Sequence, residues 1–344
     1  MKMFLLSALG GVAGIAVVVY LAFQLSPWPS ALIIRQMFTM GDKMAMGKLE
    51  KHLPSNITER LNLAYGDGPN EIFDLFYPQG TDGPLPTIVW THGGGWVAGS
   101  KEGVDNYVRI LASHGYTAVS LDYTIAPEAT YPTPVKQVTA ALAHLIANAE
   151  DYNIDPNRIV LAGDSAGAQI TAQIANLATA PDYAEEIGIA PAIDANQIAG
   201  LLLFCGAYDL DMADQKGAFA WFVHSVLWAY SGKKDFMSDG VVREASVIDY
   251  VTPAFPPTFI TAGNGDPLEP QSVAFARKLE SVGIEVDSLF YPKNHSPSLP
   301  HEYQFNLDIP DGEAALSRIL AFLGAVFAET PEQSTHASGS HQPS

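Results

Sequence analysis

An α/β domain with a mostly parallel central sheet and helices on both faces is the fold class this chain predicts, and three observations predict it. Apolar, β-branched runs recur at "TIVWTH", "TAVSLDY", "RIVLAGD", "AGLLLFC" and "PTFITAG", each short enough and apolar enough to be a buried parallel strand. Helix-period segments separate most of them, at "VDNYVRILASHG", "PVKQVTAALAHLIANAE", "AGAQITAQIANLA" and "PQSVAFARKLESVG", and a last one follows in "DGEAALSRILAFLGAVF". A chain of 344 residues that is 48% hydrophobic and 16% charged has the material for a large, well-filled core. Strand, helix, strand in repetition means a doubly wound sheet, whose functional groups gather at the carboxyl ends of the strands.

The N-terminus comes first in chain order. Met3 to Leu25 carries no charge, and at about 1.5 Å per helical residue it is long enough for the ~30 Å hydrocarbon layer. Residues 1–26 are therefore expected to be a single-pass membrane anchor, with a removed signal sequence and export as the alternative. Trp28 would then sit near the interface. Gly10 and Gly14 have the spacing at which two membrane helices approach closely, which raises a possible homodimer. Residues 27–60 read as a helical cap segment, broken into short helices at Gly41 and Gly47. Met37, Met40, Met44 and Met46 within it suit ordinary packing or an apolar entrance.

Residues 61–328 hold the alternating pattern and form the catalytic domain, with an aromatic-rich insertion at 211–250 ("FAWFVHSVLWAY") as a lid. Residues 329–344 have almost nothing to bury and read as a disordered tail. The net charge of −19 argues against nucleic acid as a partner, because so acidic a surface repels phosphate. The single cysteine, Cys205, lies in an apolar run and reads as a small buried hydrophobe.

Two motifs carry chemistry. "GDSAG", residues 163–167, follows a strand and opens a helix. A serine at so sharp a turn needs small neighbours, since strand and helix backbones pass close together there. Gly163 and Gly167 supply them, leaving the Ser165 hydroxyl exposed and the Ala166 amide directed at a developing oxyanion. "HGGGW", residues 92–96, follows an earlier strand, and its glycines Gly93, Gly94 and Gly95 let backbone amides turn inward. Fixed donors of this kind are each worth about 2.7–4 kcal/mol to a transition state. A phosphate loop would need a Lys followed by Ser or Thr, which is absent from this stretch. Histidine, cysteine and carboxylate residues show no metal-ligand spacing and no dinucleotide fingerprint occurs, so no cofactor and no metal are expected.

With "HGGGW", "DYTIAPEATYPTPV", "GDSAG", "GNGDPL" and "HEYQF" in this order, residues 60–328 resemble the hormone-sensitive-lipase-like carboxylesterases of the α/β-hydrolase fold. The resemblance implies a serine carboxylesterase acting on short- to medium-chain, relatively apolar esters. Gln137 stands where that family often has an acid, and the segment around the last histidines is longer than usual. The family's chain order implies Asp266, after the next-to-last strand, as the acid orienting a histidine base, with Asp209 a weaker rival. His295 and His301 both follow the last strand "EVDSLFYP". His301 fits the distance to the final helix, with "NHSPSL" read as a loop insertion, whereas His295 fits the interval from Asp266. The expected set is Ser165, Asp266 and His301, with oxyanion donors from Gly93, Gly94, Gly95 and Ala166 and with Trp96 lining the substrate pocket. The same residues serve amidases and peptidases, and a non-catalytic binding module on this scaffold is a further alternative.

Overall fold

The structure, a computed structural model, describes residues 2–329 except 214, 215 and 239. The tail expectation therefore falls almost wholly outside the described residues. One eight-stranded sheet organises the chain, in the order β1-β2-β4-β3-β5-β6-β7-β8. Its strands are β1 (Ile57–Ala64), β2 (Ile72–Pro78), β3 (Leu85–Thr91), β4 (Thr117–Leu121), β5 (Ile154–Asp164), β6 (Ile198–Phe204), β7 (Thr258–Ala262) and β8 (Val286–Phe290). The six strands from β3 onward run parallel. β1 and β2 form an antiparallel edge. The five apolar runs are β3 to β7, and "EVDSLFYP" contains β8.

The helices are α1 (Lys2–Leu25), α2 (Trp28–Leu49), α3 (Asp105–Ala112), α4 (Thr133–Ala147), α5 (Ser165–Thr179), α6 (Pro181–Ile187), α7 (Ala220–Ser231), α8 (Gly240–Ala245), α9 (Glu269–Ser281) and α10 (Pro310–Glu329). α3 and α10 cover one face of the sheet, through Tyr107, Leu111, Ile319 and Leu323. α4, α5 and α9 cover the other, through Val135, Leu142, Ile170 and Phe275. Both faces are filled, which is why the parallel strands read as unbroken apolar runs.

Two expectations are corrected. The sheet begins at Ile57, inside the segment assigned to the cap, and its two antiparallel strands carry polar residues that hid them. In β2 the buried Asp74 is one of these, and it is matched by the equally buried Lys101, whose Nζ lies 2.9 Å away. The second correction is that α2 runs unbroken through Gly41 and Gly47. The glycines cost roughly 1 kcal/mol each relative to alanine, but tertiary packing of Ala31, Ile34, Met46 and Leu49 holds the helix together.

α2 and α7 lie over the carboxyl end of the sheet as a cap, in contact through stacked Phe38 and Phe222 rings 6.1 Å apart. Arg35 of α2 donates from Nε to Val97 O at 2.7 Å and from Nη2 to Ala126 O at 2.8 Å, and it pairs with Glu128. Among the described residues from Ala13 onward, no single helix is long and apolar enough to cross a membrane. Ala13–Leu25 with Trp28–His52 passes that test as a pair bent by 86°.

Candidate active site

β5 ends at Asp164 and α5 begins at Ser165, whose φ of 51° places the serine in left-handed backbone. The two glycines around it are required by contact. A Cβ on Gly163 would meet Gly167 O at 2.6 Å, and one on Gly167 would meet Thr91 O at 2.1 Å and His92 O at 2.4 Å. The start of α5 is thus pressed directly against the end of β3. Ala166, in the first turn of α5, has an amide without an intrahelical acceptor.

The glycine loop leaves β3 beside this elbow. Gly94 and Gly95 have φ values of 105° and 59°, and a Cβ on Gly94 would strike Ala98 O at 2.2 Å. Their amides have no acceptor among the described residues. Gly93 differs. Its N–H donates to Asp164 Oδ2 at 2.9 Å, while Trp90 Nε1 donates to Oδ1 at 2.8 Å. Gly93 is therefore removed from the expected oxyanion donors, because its only N–H is committed to tying the loop to the elbow. Trp96 is corrected as well. Its indole is buried, stacked on Tyr230 at 4.7 Å and donating to Gln169 Oε1, so it braces the loop from within the core instead of presenting its ring to a substrate.

Asp266 follows β7 in the loop before α9, its Oδ1 accepting from Leu268 N at 2.8 Å. Its Oδ2 lies 2.8 Å from His301 Nδ1. A carboxylate only accepts, so Nδ1 carries the proton and Nε2 is turned the other way. Nε2 lies 3.9 Å from Cys205 Sγ. Asp164 and Phe204 are register partners in β5 and β6, so Ser165 and Cys205 each begin the turn that follows a pair of adjacent strand ends. The outward nitrogen of His301 therefore faces the strand ends at which the serine turn begins. Burial works against a charged His301, but its hydrogen bonds to Asp266 and to the Cys205 sulfur and the nearby Glu302 carboxylate hold its pKa well above the usual value.

His295 is not brought to Asp266. Its Nε2 lies 3.0 Å from Asp311 Oδ1, at ion-pair distance but with poor hydrogen-bond alignment, and its ring packs on Tyr291. Asp209 caps its own turn, accepting from Asp211 N. Gln137, the departure from the family pattern, accepts from Thr124 N and donates to Glu71 Oε1, so an amide holds the turn there.

Sequence reasoning missed the acids behind the elbow. Burial, then the charge of Glu302, raises the Asp164 pKa to about 7, and burial raises that of Glu302 as well. Asp42 reaches the same small cavity from α2, its pKa raised to about 6 by burial and by Asp164. The aspartate inside "GDSAG" was the available signal. Cys205 is buried as expected, and burial pushes its pKa to about 12, so it is a neutral thiol. Cys205, Asp266 and His301 bring metal-ligand atoms within 4.8 Å of one another. Two of the three are already joined by the 2.8 Å hydrogen bond, which leaves that set poorly suited to an ion.

A serine at a strand-to-helix elbow, a carboxylate-oriented histidine and a glycine loop on one end of a parallel sheet define an α/β-hydrolase-fold protein. Solved structures agree on the fold. Esterase B from Lactobacillus rhamnosis superposes with a TM-score of 0.78 at 20% identity, covering 89% of this chain and 97% of its own. A bacterial heroin esterase gives 0.68 at 21%, covering 86% and 93%, and an esterase from Pyrobaculum calidifontis gives 0.66 at 22%, covering 86% and 93%. The BD-FAE family model matches residues 73–279. The chain belongs to the BD-FAE family.

Proposed function

We propose that this protein is a serine carboxylesterase that hydrolyses short- to medium-chain carboxylic esters through an acyl-enzyme. One observation carries the reading: the 2.8 Å contact between Asp266 and His301 turns Nε2 toward the strand ends where Ser165 begins its helix. Serine is a weak nucleophile at neutral pH and needs such a base. In the proposed course His301 Nε2 takes the proton as Ser165 Oγ attacks the ester carbonyl. The oxygen, now negative, is held by the amides of Gly94, Gly95 and Ala166. The C–O bond to the alcohol breaks, the alcohol leaves with the proton from His301, and water repeats the sequence to release the acid. Esterase B has also been solved with a tributyrin phosphonate as inhibitor, which supports a serine-centred reading by analogy.

Within this proposal α1 anchors the protein in a membrane; its 24 residues span about 36 Å at 1.5 Å each. Resistance of the full chain to alkaline extraction from membranes tests the anchor, and recovery of a shortened soluble form would favour export after cleavage. For the chemistry, the measurements are turnover of p-nitrophenyl acetate through octanoate and labelling by a fluorophosphonate. Both should vanish in Ser165→Ala, and retention of either would refute the assignment.

A further inference from the structure

α2 is apolar on two opposite faces, and the fold uses only one of them. Ala31, Ile34, Phe38, Asp42, Ala45 and Leu49 recur at helical spacing on the side that packs against the protein and bounds the cavity beside the glycine loop. On the opposite side Ile33, Met37, Met40 and Met44 form a second stripe, exposed by 45%, 62%, 59% and 68%. Lys43 and Lys48, both exposed, flank it. A contiguous apolar stripe left exposed and rimmed by charged residues marks a surface for interaction.

Three further observations say what that surface meets. The stripe continues from α1, whose exposed Ile15, Val17, Val18 and Leu21 are equally apolar, and α2 leaves α1 at 86°. A helix standing along a membrane normal would therefore lay α2 flat in the interface. Trp28 and Trp221, each more than two-fifths exposed, lie at the start of α2 and on α7, as amphipathic rings do at a bilayer surface. Lys234, just beyond α7, donates to Gln24 O at 2.7 Å and so fixes the α7 side of the cap to the end of α1.

We infer that the outer face of α2, with Phe219 and Trp221 beside it, seats on the surface of the bilayer that α1 enters, so that the cap over Ser165 faces lipid. The flexible methionines suit a fluid, irregular partner, and in-plane helices of this composition bury their apolar side at the headgroup boundary. Phe38 of α2 and Phe222 of α7 meet above Gly95, where a Cβ would lie 3.3 Å from the Phe222 ring. These packed rings form the seam between the two helices beside the oxyanion donors, and with the outer face of α2 seated in lipid the substrates favoured are esters already dissolved in the membrane. The inference rests on the esterase and anchor readings proposed above.

The test uses the full chain in phosphatidylcholine–phosphatidylglycerol vesicles. Met40→Cys, labelled with an environment-sensitive NBD group, is compared with Asp82→Cys in the loop before β3, at the amino end of the parallel strands and so opposite the cap; buried Cys205 stays unlabelled. Lipids brominated on the acyl chain should quench the label at position 40 at least threefold more than at 82. Separately, Met40→Glu with Met44→Glu should leave turnover of soluble p-nitrophenyl acetate unchanged while turnover of a vesicle-dissolved octanoate ester falls about tenfold, the equivalent of about 1.4 kcal/mol of lost seating. Equal quenching at the two positions, or a blue-shifted label at 40 without quenching, which means protein covers this face, overturns the inference. Vesicle flotation of the wild type reads the anchor on its own, and p-nitrophenyl acetate turnover reads the esterase on its own, so either can fail separately.

Discussion

Replacing Gly167 by alanine is the most direct trial of the elbow. The new Cβ would lie 2.1 Å from Thr91 O and 2.4 Å from His92 O, both backbone atoms, where 3.4 Å is the near limit of ordinary contact. The shortfall is 3.4 − 2.1 = 1.3 Å, and no side-chain rotation can supply it. α5 must move away from β3, which carries Ser165 and Ala166 away from Gly94 and Gly95. Overpacking of this kind costs roughly 1–3 kcal/mol, and a displacement of about 1 Å at a reacting centre costs on the order of a hundredfold in rate. The expected outcome is a melting temperature lower by roughly 2–4 °C for each kcal/mol together with p-nitrophenyl butyrate turnover reduced at least fiftyfold. Gly324→Ala in α10, where a Cβ meets nothing within 4 Å, is the control and should gain up to about 1 kcal/mol by helix propensity. A Gly167→Ala protein as stable as wild type, with turnover within twofold of it, would refute the argument.

Four further outcomes are expected. His301→Ala should lower kcat by about ten-thousandfold or more, whereas His295→Ala, which removes only the partner of Asp311, should keep it within threefold; steady-state kinetics on one soluble ester decide between them. The acid limb of kcat/KM should have its midpoint above the ordinary histidine value of 6.5, because His301 must be neutral to accept a proton and its pKa is raised; a midpoint at or below 6.5 contradicts this. Conformational stability should run the opposite way. Asp164 and Asp105 titrate near 7 and Asp42 and Asp122 near 6, each chiefly through burial, so between about pH 4 and 7 the folded state holds protons that the unfolded chain has released, and stability falls as pH rises through that window; urea unfolding at pH 5 and pH 8 measures it. Lys101→Met leaves Asp74 charged and buried without its partner, a loss of about 3–5 kcal/mol that Asp74→Leu in the same chain should largely restore.

The parallel strands were legible because burial on both faces leaves an unmistakable apolar run, and the elbow was legible because a Cβ at either flanking position would lie 2.1–2.6 Å from backbone atoms, so only glycine fits. The edge strands were not, since β1 alternates with solvent and β2 buries a charge whose partner, Lys101, lies 27 residues away. The same limit explains Gly93. Three consecutive glycines announce a loop of free amides, but which amide is already spent depends on Asp164, 71 residues further on. The choice between two histidines turned on the path of one loop, which spacing alone leaves open. Trp96 misled because an aromatic after a glycine loop suits a pocket wall and a packed core equally well, and the outcome was set by Tyr230 and Gln169 on distant elements.

Arg35 grips the carbonyls of Val97 and Ala126 with one guanidinium, so α2 is a working part of the fold and more than an extension of the tether proposed for α1. Whoever shortens the chain at its start, whether a protease or an experimenter, has to cut ahead of Trp28. A cut past Arg35 discards the handle that steadies the backbone just beyond the three glycines, and what remains would be soluble and folded around its sheet yet slack where the chemistry is held.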